Sequence, residues 1–139
     1  MKKFIIVFLL ILSVIACKKK GMSPEGPTDV RIRNLSDLIF NNVIVRTSTK
    51  PEDVDTIGHI NYGSTSDYFR FTKAYPKAQI SAEISIGGSP VTFSTGTVDF
   101  TYMQYIGQDK ITYEVNISDY NSKTLTVSNI IEDEPLNLK

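Results

Sequence analysis

From about Val30 onward, apolar and polar residues take turns. "QISAEISI" (79–86) sets Ile80, Ala82, Ile84 and Ile86 against Ser81, Glu83 and Ser85. "KITYEVNI" (110–117) does the same with Ile111, Tyr113, Val115 and Ile117 against Thr112, Glu114 and Asn116. "DVRIRN" opposes Val30 and Ile32 to Arg31 and Arg33. Period two belongs to an extended strand with one face buried, because successive side chains point to opposite faces. "NNVIVRT", "SDYFRFT", "SPVTFST" and "KTLTVSNII" alternate less cleanly but are rich in β-branched and aromatic residues, which suit a pleated surface. No long stretch spaces its apolar residues at helical intervals.

Turn chemistry separates these runs. Gly87-Gly88 reads as a tight hairpin, "SDYNSK" (118–123) joins the last two strands, and Tyr62-Gly63-Ser64 precedes "SDYFRF". About seven strands with turns between them predict an all-β fold, an antiparallel immunoglobulin-like β-sandwich. A small β-barrel is the alternative.

The first 27 residues follow another logic. After Met1-Lys2-Lys3, the run Phe4 to Ala16 is apolar except for Ser13. At 1.5 Å per residue its helix would reach only ~20 Å, short of the ~30 Å hydrocarbon core of a bilayer. That length suits a signal peptide. The run ends Val14-Ile15-Ala16-Cys17, with the only cysteine of the chain. An aliphatic residue, a tolerant position, a small residue and then cysteine resemble the bacterial lipobox. That resemblance implies cleavage after Ala16 and lipid on Cys17, so residues 1–16 read as a lipoprotein signal peptide. With its one thiol consumed, the exported domain has no disulfide framework. Residues 17–27, with Lys18-Lys19-Lys20 and then Gly21, Pro24, Gly26 and Pro27, read as a flexible tether. Residues 28–139 read as one domain.

Charge refines the picture. The whole chain is neutral, but residues 28–139 hold ten Lys+Arg against fourteen Asp+Glu. A mildly acidic domain without a basic stripe argues against nucleic-acid binding. The expected partners are the membrane, through the N-terminal lipid, and an envelope protein or glycan. The expected location is the bacterial cell envelope, lipid-anchored at the outer membrane and facing the periplasm.

Catalytic patterns are absent from the sequence. His59 is the only histidine, so an imidazole-based metal site would lack its second ligand. No serine sits in a Gly-x-Ser-x-Gly elbow, and no glycine-rich phosphate loop or calcium loop occurs. Glu52, Asp53 and Asp55 are oxygen ligands in kind, but their spacing reads as a solvated loop. No enzyme activity and no cofactor are expected. The aromatic residues offer more. Phe69 and Phe71 should face the core, which turns Tyr68 outward together with Arg70, and Tyr102 lies in a second cluster with Phe100 and Tyr105. Tyr68, Arg70 and Tyr102 are therefore the candidate partner contacts, since an exposed tyrosine can stack on a sugar or a protein surface. The competing role for each tyrosine is structural, packing by its ring and bonding by its hydroxyl. Asp55-Thr56-Ile57 matches a loose bacterial O-glycosylation triplet.

Several motifs together resemble an uncharacterised family of small bacterial β-sandwich lipoproteins, over roughly Val30 to Ile117. The matching residues are Ile32, Asn34, Ser36 and Asp37 at the start, then Gly63, Ser66 and Tyr68, then Ala74, Tyr75 and Ala78. Asp99-Phe100 and Thr112-Tyr113-Glu114 follow. Thr101-Tyr102 stands where relatives often carry Gly-Glu. The resemblance implies a β-sandwich lipoprotein and implies no activity. An envelope enzyme inhibitor and a carbohydrate-binding accessory lipoprotein are the rival functions.

Overall fold

The computed structural model describes residues 24–135. The expected signal peptide, Cys17 and most of the expected tether lie outside them. The described residues form eight strands and no helix: β1 (Thr28–Asn34), β2 (Phe40–Arg46), β3 (Val54–Ile60), β4 (Phe69–Phe71), β5 (Gln79–Ile86), β6 (Ser89–Ser94), β7 (Asp109–Asp119) and β8 (Thr124–Pro135). All eight belong to one sheet in the order β3-β2-β5-β6-β8-β7-β1-β4. Its two end strands, β3 and β4, approach one another, so the sheet is barrel-shaped and nearly closed. The small-barrel alternative fits. The two packed sheets of a sandwich are not borne out, because the ladder is continuous through all eight strands.

The pairing is not wholly antiparallel either. β1 runs parallel to β7 over six residue pairs, Asp29 with Lys110 through Asn34 with Val115. β6 touches β8 in parallel at Ser94 and Thr124, and the other pairs are antiparallel. Followed around the sheet, these directions make odd-numbered strands run one way and even-numbered strands the other. The β1–β2, β3–β4, β5–β6 and β7–β8 connections therefore share one end, here called the upper end. The point where the chain comes in, the remaining connections and the end of β8 share the lower end.

Alternation fills the lumen. Val30, Ile32, Ile80, Ala82, Ile84, Phe93, Ile111, Tyr113 and Val115 are buried, as the periodicity predicts. β2 looked less regular because it is bulged. Asn42, with φ of 46°, lies between register shifts on both sides of β2, so Phe40 and Val43 both face inward. A bulge adds one residue and inverts the phase beyond it. β8 shows the same effect, since its pairing with β7 slips between Glu114 and Val115. At Gly87-Gly88 both residues have positive φ, 58° and 84°, and Ile86 pairs with Ser89 across them. That backbone needs glycine.

Pro24 to Pro27, read from the sequence as part of a flexible tether, are held against the barrel. Glu25 pairs with Lys73 at 2.5 Å, and the Gln108 side chain donates to the Gly26 carbonyl at 3.1 Å. A β-carbon on Gly26 would collide with the Thr72 carbonyl oxygen, so only glycine fits there.

The core assignment has a direct test. Ile80 is fully buried, so Ile80→Ala should cost about 2–5 kcal/mol through lost burial and a residual cavity. Urea unfolding measures it, and a change within about 0.5 kcal/mol would be a surface result that contradicts the inward register of β5.

Candidate functional site

The upper end is organised by Asn34, the buried last residue of β1. Its Oδ1 accepts from the Ser36 amide at 2.9 Å and the Ser36 hydroxyl at 2.7 Å. Its Nδ2 donates to the Leu38 carbonyl at 2.7 Å and the Ile60 carbonyl at 3.4 Å. One amide thus folds the β1–β2 loop and fastens it to β3. With Asn34 and Ser36 turned inward, Leu35 and Ile39 are left exposed. Tyr62, 65 % exposed, stands on the β3–β4 turn, Ile86 ends β5, and Tyr120 sits on the β7–β8 turn. The Tyr120 hydroxyl donates to Asp37 at 3.0 Å and its ring meets Phe93 edge-on at 6.2 Å. Seven large apolar side chains are exposed among the described residues, and these are five of them. The other two are Ile44, on the wall of the barrel, and Tyr102, at the lower end.

Ile39 and Tyr62 line an open groove of about 370 Å³, with Leu38 and Ile84 beside Asp37, Asn41, His59 and Ser85. Much of its polar capacity is already used. His59 meets Asn41 Oδ1 through Nδ1 at 2.9 Å and Asn61 Oδ1 through Nε2 at 3.1 Å, and Asp37 holds Tyr120. A somewhat larger groove, about 410 Å³, lies toward the lower end beside Ile106, Ile111 and Ile130. None of the exposed large apolar residues lines it.

The residues singled out from the sequence do not form one surface. Tyr68 is half-buried in a network on the outer wall rather than free. Its hydroxyl donates to Asp133 Oδ2 at 2.8 Å, with Arg31 4.6 Å and Lys110 5.5 Å from the ring centre. Asp133 also accepts from Thr112 at 2.6 Å and from Arg31 at 3.0 Å. This is the structural role that competed with partner contact. Arg70 is exposed, as expected, but is clamped on both Asp29 oxygens at 2.8 and 3.1 Å. Tyr102 stands free at 96 % exposure. Thr56 is exposed, its amide donating to Asp55 Oδ1 at 2.7 Å. Ala16 and Cys17 lie outside the described residues.

The acidic stretch at 51–55 needs correcting. Asp53 is fully buried, not part of a solvated loop. It accepts from the Ser48 hydroxyl at 2.5 Å, the Thr72 amide at 2.6 Å, the Thr72 hydroxyl at 3.0 Å and the Lys73 amide at 3.3 Å. A carboxylate so supplied with donors ties the lower loops together and is tolerated without water. No metal-binding cluster of His, Cys, Asp or Glu occurs among the described residues.

Compared with known protein families, curated proteins and solved structures, the chain matches none of them.

Asp133 gives the outer network a pH signature. Burial alone would raise its carboxyl, but hydrogen bonds from Thr112 and Tyr68 and the charge of Arg31 outweigh that and hold it below the usual range. A carboxyl with a lower pKa folded than unfolded contributes stability above its unfolded value, near pH ~4, and loses it as the pH falls through the folded value. Asp133→Asn should therefore be less stable than wild type at neutral pH. Below pH ~4 its unfolding free energy should fall less steeply. Chemical denaturation across that range is the measurement, and identical acid limbs would remove Asp133 from the account.

Proposed function

We propose that the protein is a non-enzymatic interaction module of a bacterial cell envelope, anchored by lipid on Cys17. In this reading it binds a protein partner through the upper end of the barrel. The observation that carries the reading is the gathering of Leu35, Ile39, Tyr62, Ile86 and Tyr120 at the end opposite to where the chain comes in. Exposed apolar residues grouped in this way mark interaction surfaces, whereas single scattered ones do not. The anchor rests on the short apolar run, the Ala16-Cys17 junction and the resemblance to small lipoproteins. The outer membrane, with the domain in the periplasm, is the proposed location.

The lining of the groove favours protein over glycan. Sugar sites set aromatic rings beside polar groups that bond to hydroxyls. Here the His59 nitrogens face Asn41 and Asn61, and Asp37 already receives Tyr120. What remains is largely aliphatic and aromatic, suited to an apolar side chain from another protein.

Two experiments test the two halves separately. Metabolic labelling with a fatty-acid analogue should mark the wild-type protein, and Cys17→Ser should abolish both label and membrane partition. An unlabelled wild type would end the lipoprotein reading. For the binding end, Ile39→Asp and Tyr62→Ser should lose partners that wild type retains in cross-linking from envelope extracts. Ile44→Asp, on the wall, should keep them. Tyr62→Ser should shift stability by no more than about 0.5 kcal/mol. Ile39→Asp and Ile44→Asp, at positions mostly buried, should each cost a similar and larger amount, so Ile44→Asp controls for stability. Retention by Ile39→Asp and Tyr62→Ser would place binding elsewhere.

A further inference from the structure

Tyr102 is the most exposed of the large apolar side chains described, and it lies at the lower end, away from the other aromatic tips. Its turn is stiff. The Asp99 carboxylate accepts from the Thr101 amide at 2.9 Å and the Thr101 hydroxyl at 2.5 Å, and the Met103 amide donates to the Phe100 carbonyl at 3.2 Å. Phe100 is buried, its ring 5.3 Å from that of Tyr75. The turn therefore holds Tyr102 outward on a fixed base, and ordering it at a surface costs little entropy.

The chain comes in at this same end and is gripped early. Glu25 on Lys73 and Gly26 under Gln108 and against Thr72 fix the backbone just beyond Pro24. The Pro24 carbonyl itself lies beside Gly107, at the end of the loop that carries Tyr102. Only six residues, Lys18 to Ser23, then separate this docked strap from Cys17, at most ~25 Å of extended chain. In the anchored reading, so short a leash holds the lower end within ~25 Å of the bilayer and leaves it the nearer pole when the strap points down.

We propose that Tyr102 is a second membrane contact, its ring resting among the headgroups while Cys17 supplies the anchor. The occupant is a lipid surface, which takes up tyrosine readily at the boundary between hydrocarbon and water. The proposal rests on the anchored reading above and adds an orientation to it: lower end on the membrane, upper end away from it.

The test uses a tryptophan, because the chain has none of its own. Tyr102→Trp and, as the opposite pole, Tyr62→Trp are expressed as full chains in a bacterial host and recovered from its membranes. Each is then reconstituted in phosphatidylcholine vesicles containing brominated lipid. The indole of the Tyr102→Trp protein should emit further to the blue than that of Tyr62→Trp and be quenched several-fold more strongly. Equal quenching at the two positions overturns the contact while leaving the anchor intact. Protein missing from the membrane fraction overturns the anchor, and the contact with it.

Discussion

The parallel ladder between β1 and β7 is the constraint on which the rest depends. It sets the first strand beside the last hairpin, over pairs from Asp29–Lys110 to Asn34–Val115, and leaves the other edge of β1 to β4. Parallel strands must both start from the same end of the sheet. That fixes where the chain comes in and, with the other pairings, assigns every connection to one end or the other. It also presses Val30 and Ile32 against the interior that Ile111, Tyr113 and Val115 share. Tyr113 is the largest of the fully buried side chains, and its hydroxyl is satisfied by the Tyr75 carbonyl. Burial raises the pKa of that phenol, so it stays a neutral donor across the physiological range.

Much of the strand content was legible because the lumen of a small barrel must be filled from alternate positions. β1, β5 and β7 carry the pattern through their buried stretches, though Ile86, inward by period two, ends exposed at the upper end of β5. β2 and β8 do not, since a bulge costs one residue of phase and leaves no mark in the sequence beyond an awkward Asn-Asn or Ser-Asn. Which strands pair, and in which direction, was not legible at all. A parallel β1–β7 contact joins residues about eighty positions apart, and period two is the same for either direction. The sandwich and the barrel share their local pattern and differ only in that long-range pairing.

The polar motifs were visible but proved to hold the fold together. Asn34 and Ser36 shape a loop, Ser66 accepts the Ile32 amide at 3.0 Å, Thr112 serves Asp133, and Glu114 pairs with Arg33 at 3.2 Å. Asp53, read as solvent-facing, was missed because a short acidic run looks the same whether its middle member points in or out. The exposed apolar residues escaped for the opposite reason. Leu35 and Ile39 flank positions whose inward turn is decided by the hydrogen bonds of Asn34, and nothing local marks a loop isoleucine as exposed. Of the aromatic candidates, only the position of Tyr102 in the loop after β6 leaves its ring unengaged.

The division of labour between the two ends follows from geometry more than from any single residue. The lower end commits its polar groups internally, on Asp53, Lys73 and Gln108, and thereby docks the incoming chain. The upper end uses Asn34 and His59 to stiffen loops whose apolar tips remain outside. β5 alone, eight residues long, separates the two ends by ~26 Å at the usual strand rise. In the proposed anchored reading, the six residues between Cys17 and the strap reach about as far as the barrel is long, so they favour the lower end at the bilayer without excluding the upper. Anchoring at the lower pole then favours presenting the other pole outward, and a partner within the same envelope would meet it at a high effective concentration. A modest apolar surface suffices under those conditions, because the tether has already removed much of the translational freedom that association would cost.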